Sequence, residues 1–235
     1  MDGFVDGIRR AEAELGVRAR LVPSINREEP VAVAQAMLDE MIAYRQDEVI
    51  GLGIDHHELP FPPEMFAGVY QQAGRAGFRR TAHTSHDAPA SWITTCLDEL
   101  GCERIDHGYR VTQDPEVLRR VVDEQVPFTC APTTAGAFWQ IPESDEPDAP
   151  LTNPIRLMVE RGVNVTLGSD DPTMFHTDQG LEYVKFCNEL GFEPKQAVDA
   201  SLAAIEGSWL TDAEKADLRK SFKTEIDGLT AQLSA

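Results

Sequence analysis

Six short runs rich in apolar and β-branched residues recur between Ala19 and Gly168, and a longer amphipathic stretch separates each from the next. No other feature constrains the fold as tightly, because strand and helix alternating through short connections build a parallel sheet covered by helices. The runs predict strands over 19–25, 49–54, 78–84, 104–107, 126–130 and 163–168. Helices are predicted over about 30–45, 63–76, 89–100, 115–124 and 151–161, followed by a helical tail near 179–190, 194–205 and 212–233. Several of these helices open on a proline, whose missing N–H costs nothing in a first turn. The strand runs alternate only weakly, as expected where helices cover the sheet. The stretch 131–150 holds four prolines and an acidic patch, Glu143–Asp148, and reads as an irregular loop on the active-site side.

Charge narrows the partners. Lys and Arg number 21 against 40 Asp and Glu, a formal net charge of −19, which argues against nucleic acid and anionic membranes. The acidity is spread over helix surfaces and the 143–148 patch, as on a solvated exterior. With 42% hydrophobic residues in 235, the chain can bury a substantial core and is expected to form a single domain over 1–235. No stretch approaches the ~18–20 apolar residues of a membrane helix, and Met1-Asp2-Gly3 leads into charged residues without the apolar core of an export signal. A cytoplasmic protein is expected. Cys96, Cys102, Cys130 and Cys187 form no Cys-x-x-Cys pair and read as small buried hydrophobes.

In parallel α/β folds functional residues gather where strands end. Five of the six predicted strands end in polar or titratable groups: Asp55-His56-His57-Glu58, His83-Thr84-Ser85-His86-Asp87, His107, the Ala131–Thr134 turn, and Ser169-Asp170-Asp171-Pro172. Histidines and carboxylates on separate strand ends are what a hydrolytic metal site requires, since an open coordination position holds a water whose pKa falls to about 7. His83, His107 and Asp170 are candidates for such a site. Taken singly, each reads as readily as a surface or capping residue.

Order and wording carry more weight than any single residue. The segments GIDHHELPFPPEMF, TAHTSHDAPASWI, ERIDHGYR with DPEVLRRVVDEQVPFTCAP, and VTLGSDDPTMF resemble, in order and spacing, the adenosine/adenine deaminase family of the metal-dependent amidohydrolase superfamily. Arg104-Ile105-Asp106-His107-Gly108 is similar to the adenine deaminase branch, as are the wordings at 51–58 and 62–66, and 208–218 matches the family's closing helix. The resemblance covers nearly the whole chain. It implies an α/β fold of the TIM-type (β/α)8 barrel kind, in which one Zn²⁺ activates water to attack C6 of a 6-aminopurine and release ammonia. It further implies that His83 is a zinc ligand and that Asp170 binds the metal and orients its water. His107 would stabilise the attacking hydroxide, Asp171 would hydrogen-bond the purine at N7, and Asp55 and Glu58 would line the base pocket. The implied partner is a small purine base or nucleoside.

Two departures qualify that picture. The family's zinc site begins with His-x-His on its first strand, and this chain has no His-x-His. By motif alignment residue 1 falls in the helix before the family's third strand, so the six predicted strands correspond to strands three to eight. An (β/α)8 barrel represented by about six βα units leaves unpaired strand edges. The second departure is His83-Thr84-Ser85-His86 where the family has His-Ala-Gly-Glu. His86 thus stands in place of the Glu that shuttles a proton to purine N1; a histidine exchanges protons near neutrality but lacks the carboxylate's charge. Asp87 is the next carboxylate along. Thr133-Thr134 and Gly168 also differ from the family's Ser-Asn and Asn. The sequence therefore supports three readings: a zinc-dependent aminopurine deaminase, a non-catalytic relative that binds purine, and a new metal site formed by His83 and His86 with His56 or His57, the last requiring a turn at Thr84-Ser85.

Overall fold

The computed structural model describes residues 2–144 and 146–233. Its contacts sort into two compact units, Met1–Thr84 with Ser91–Ile105, and Ser85–Ala90 with Asp106–Ala235. The first unit contains α1 (Asp2–Leu15), β1 (Ser24–Asn26), α2 (Val31–Ala43), β2 (Gly51–Asp55), a 3₁₀ turn (Pro63–Phe66), α3 (Ala67–Arg75), β3 (Arg79–Thr84) and α4 (Ser91–Asp98). Strand β4 (Arg104–His107) supplies its first two residues to this unit and its last two to the second. The second unit continues with α5 (Pro115–Asp123), β5 (Pro127–Cys130), α6 (Pro132–Phe138), β6 (Ile141–Pro142), β7 (Leu151–Thr152), α7 (Pro154–Glu160), β8 (Asn164–Leu167), α8 (Pro172–Phe175), α9 (Gln179–Asn188), α10 (Pro194–Gly207) and α11 (Asp212–Leu233).

The main sheet has six strands in the order β1-β2-β3-β4-β5-β8, and every strand pair with a recorded register in it is parallel. In the first unit Ile25 faces Ile54 across the β1–β2 ladder, and Gly51, Leu52, Gly53 and Ile54 are all buried, so β2 is covered on both faces. Ile25, Leu38, Leu52, Phe66, Tyr70, Ile93 and Leu100 form this unit's interior at 0–1% exposure. In the second unit β5 pairs with β8 from Pro127↔Asn164 to Cys130↔Leu167. Its interior holds Tyr109, Val121, Phe128, Ile155, Met158 and Phe186. Helix α5 shows the local logic: Asp114 caps it by accepting from the Glu116 and Val117 amides, Pro115 starts it, and Val117 and Val121, four apart, face inward.

The six predicted strands are all present, most of them trimmed. The 19–25 run reduces to Ser24–Asn26, with Leu21 in an isolated bridge to Val49; Pro23 has no N–H to continue the ladder, although its carbonyl still accepts from Gly53. The 131–150 stretch is not wholly irregular, because Pro132 opens α6, whose Thr134 and Ala135 are buried, and Ile141–Pro142 pairs antiparallel with Leu151–Thr152. Cys96, Cys102 and Cys130 are buried as expected, whereas Cys187 is half-buried. Among the described residues no helix is long and apolar enough to cross a membrane.

Gly207 closes α10 where the helix crosses β5: a Cβ there would come within 2.9 Å of Pro127 Cβ. Gly207→Ala gains helix propensity of about 1 kcal/mol but incurs overpacking of about 1–3 kcal/mol against a rigid ring. Net destabilisation is expected in urea unfolding, and a more stable variant would show that α10 shifts freely on β5.

Candidate active site

Strand ends in this protein carry polar side chains on strained backbone. His56 after β2, Ser85 after β3, His107 closing β4 and Asp170 after β8 have φ of 77°, 58°, 71° and 54°. For residues with a Cβ the left-handed region costs about 1–2 kcal/mol each, and such conformations persist only where surrounding contacts hold them.

In the first unit the holding group is Arg27. It is fully buried; its main-chain N–H and Nε both donate to the Asp55 carbonyl, at 3.3 and 3.2 Å, and its Nη2 donates to the His83 carbonyl. The guanidinium therefore ties together the ends of β2 and β3. Burial pulls the Arg27 pKa below its usual value, and the nearby Glu58 carboxylate opposes that shift. Glu58 is itself 1% exposed, with Oε1 3.4 Å from His83 Nε2. Arg27, Glu58 and His83 thus make one polar cluster. Asp55 is exposed. His56 and His57 are both exposed as well; Glu28 holds them at the surface, 3.8 Å from His56 Nδ1 and accepting from the His57 amide at 3.2 Å.

In the second unit His86 is 7% exposed and lies among aromatic rings. It stacks on Trp139 at 4.2 Å and 21°, on Tyr109 at 5.1 Å and 16°, and meets His107 at 4.0 Å and 54°. Arg110 staples the turn before it, donating from its main chain to Ser85 O and from Nε to His86 O at 3.1 and 3.0 Å, while Ser85 Oγ donates to Pro89 O. His107 Nδ1 lies 3.2 Å from the Tyr109 hydroxyl, which also accepts from the Ala131 amide at 3.2 Å. Burial first, and the neighbouring Cys130 second, raise the Tyr109 pKa well above its usual value, so its phenol stays protonated. Thr134 Oγ1 donates to Asp170 Oδ2 at 3.0 Å. Asp170 and Asp171 are both exposed, and Asp171 stands at the N-terminus of α8.

Imidazole and carboxylate are the donors zinc prefers beside thiolate. Within the second unit His86 and His107 each offer a ring nitrogen, the two within 4.8 Å of each other, and Asp170 offers a carboxylate already held by Thr134. Side chains of these two types, which include His83 in the first unit, suit a divalent metal ion in their donor chemistry.

The family model described as Adenosine deaminase matches residues 1–225. The chain belongs to the adenosine deaminase family. An adenine deaminase from Schizosaccharomyces pombe is 30% identical over 236 residues, covering 99% of this chain and 63% of that protein. An amidohydrolase from Burkholderia ambifaria with bound zinc superposes with a TM-score of 0.90 at 34% identity, over 98% of this chain and 63% of that one. The adenine deaminase from Arthrobacter aurescens gives 0.86 at 32%, over 96% and 67%. This family member thus spans about 63% of the length of its curated relative, with an α/β fold that supplies six parallel strands of the barrel kind.

Membership gives Ser85 a physical meaning. By the motif resemblance Ser85 takes the place of a Gly, and its φ of 58° is the conformation that glycine adopts freely. Arg27, Tyr109 and Trp139 were not apparent from the sequence, whereas Thr134 lies in the strand-end turn that the sequence singled out. Tyr109 follows His107-Gly108 directly, and a tyrosine two residues after a strand-end histidine was its available signal; Trp139 lay in a stretch whose prolines masked a helix.

Two outcomes follow from these contacts. Ser85→Gly should change stability by no more than about 1 kcal/mol, relief of strain offsetting the lost hydroxyl bond, whereas the β-branched Ser85→Val should cost more than about 2 kcal/mol; equal effects in urea unfolding would contradict a strained turn. Tyr109→Phe should cost about 1–3 kcal/mol at neutral pH by leaving the Ala131 amide unfilled. Since the folded-state pKa of Tyr109 is raised, its stabilisation is complete below the usual value of 10.0 and declines as pH rises beyond it. The variant's stability should therefore fall less steeply than wild type above that pH, and parallel curves would refute a buried neutral phenol.

Proposed function

We propose that this chain serves the hydrolytic deamination of a 6-aminopurine, with adenine the first candidate and adenosine or an N6-substituted adenine the alternatives. Family membership and adenine-deaminase relatives support the reaction class. The observation that carries the reading is the His107 arrangement: a strand-end imidazole whose Nδ1 meets a phenol that burial keeps protonated and that accepts from the Ala131 amide, on a main chain whose carbonyl accepts from Cys130 Sγ. Such a histidine is oriented before substrate arrives, which is what stabilisation of charge developing at C6 requires.

In this reading His83 and Asp170 would hold Zn²⁺. When bound, the ion supplies a water made acidic enough to attack near neutral pH. Asp171, exposed at the start of α8, would hydrogen-bond the purine at N7, and Asp55 and Glu58 would line the base. Glu58 is the better placed of the two to act electrostatically, since it is buried beside Arg27 and His83. His86 would deliver the proton to ring N1 in place of a carboxylic acid.

A second reading rests on His86 itself. Its ring is packed against Trp139, Tyr109 and His107, and a stacked imidazole has little freedom to shuttle a proton. That packing favours a relative that binds a purine without turnover.

Metal analysis with ammonia assays separates the two. Stoichiometric zinc and ammonia release from adenine, adenosine or an N6-substituted adenine is expected under the first reading. A protein that takes up no zinc and stays silent, yet binds purine in calorimetry, would establish the second. His86→Glu in zinc-loaded protein should raise ammonia release on the order of 100-fold by restoring a carboxylic acid; no increase would remove the N1 role from position 86.

A further inference from the structure

Helix α9 contributes a carboxylate that the proposed chemistry does not use. Glu182, on its first turns, is fully buried. Its Oε2 accepts from the Thr133 amide at 2.8 Å, and its Oε1 accepts the hydroxyls of Thr133 and Thr177 at 2.5 Å each. Burying a carboxylate is costly unless its lone pairs are filled, and charge-assisted acceptors of this kind are strong. The donors come from two separate segments. Thr133 lies in the first turn of α6, and Thr177 lies at the end of the loop that runs from β8 past Asp170 and Asp171.

The same loop is fixed elsewhere. Thr134, beside Thr133, donates to Asp170 Oδ2 at 3.0 Å. Gln179 Nε2 donates to Leu167 O at 2.8 Å, bringing the start of α9 back to the end of β8, and Asp178 Oδ1 accepts from the Leu181 amide at 2.9 Å. Asp170 and Asp171 are exposed, and Asp170 has left-handed backbone. Side-chain packing therefore does not set the places of these two carboxylates; main-chain geometry and hydrogen bonds must.

We propose that Glu182 is a positioning residue: its carboxylate locks the first turn of α6 to the 168–178 loop and so holds Asp170 and Asp171 at the end of β8. This deepens the reading above, in which Asp170 meets the metal and Asp171 the purine. Groups that orient metal-binding side chains from behind commonly change metal affinity about 10–100-fold when removed.

Glu182→Leu keeps bulk but removes both acceptors. Glu182→Gln keeps a carbonyl for the Thr133 amide, while its NH₂ donates to hydroxyls that rotate to accept. In the whole chain, amide hydrogen exchange should accelerate in both 131–135 and 168–178 for Glu182→Leu, leave the β5–β8 ladder protected, and return close to wild type for Glu182→Gln. Acceleration spread evenly through the second unit, or confined to α9, would overturn the proposal. Zinc affinity, measured by chelator competition where each variant is fully folded, should fall about 10–100-fold for Glu182→Leu and recover with Glu182→Gln. Unchanged affinity in Glu182→Leu would also overturn it, because a merely structural residue leaves the folded protein's affinity intact. If wild-type protein takes up no zinc, the zinc reading fails, and the exchange measurements alone decide the role of Glu182.

Discussion

A chain leaving a parallel strand must turn away from its ladder without abandoning buried carbonyls, and four strand ends of this protein do so through residues with positive φ. His56, Ser85, His107 and Asp170 each accept a conformation that glycine would adopt at no steric cost. The first three are held by donors directed at the main chain around them, and Asp170 by the Thr134 hydroxyl on its carboxylate. Arg27 meets the carbonyls of Asp55 and His83, Arg110 meets those of Ser85 and His86, and the Cys130 thiol points to that of His107. Strain at the polar rim is thus matched by bonds beneath it, as expected where backbone geometry serves a site.

Each unit also has a polar hub inside its apolar interior, and the two differ in kind. The first is ionic: Arg27 and Glu58 are buried almost completely, with His83 against the carboxylate. An arrangement of that sort loses far more when one member is removed than it contributes as a pair, because the remaining charge stays buried. The second hub is aromatic, built from His86, His107, Tyr109 and Trp139. Its order comes from stacking and from a phenol whose burial keeps its proton in place.

The contrast explains what a histidine at position 86 does. A carboxylate in that place would need donors to fill its lone pairs, and it has no face on which Trp139 or Tyr109 could stack. An imidazole has both a polar edge and an aromatic face, so it fits a nearly closed aromatic setting at 7% exposure. The exchange of residue therefore changes the surroundings as well as the acid. Asp170 and Asp171 present the opposite case, since they are exposed and rely on Thr134 and the chain around them for their positions.

Strand and helix periodicity, proline at helix starts and the ordered motifs around His83, His107 and Asp170 were legible in the sequence, because they depend on residues near one another in the chain. The six strands and most helices follow from that local information, and so does family membership. Helix α6 was obscured by the prolines around it, and the shortening of β1 by the missing amide of Pro23. What only tertiary structure decided was which side chains from distant segments meet: Arg27 with the carbonyls of residues 55 and 83, His86 with Trp139, Tyr109 with Ala131, and Glu182 with Thr133 and Thr177. Apart from Glu182 with Thr177, five positions away, those pairings span from 22 to 56 positions, and no local propensity encodes them. They arise because the folded backbone brings unfilled donors and acceptors together in places that water does not reach, where each must find a partner.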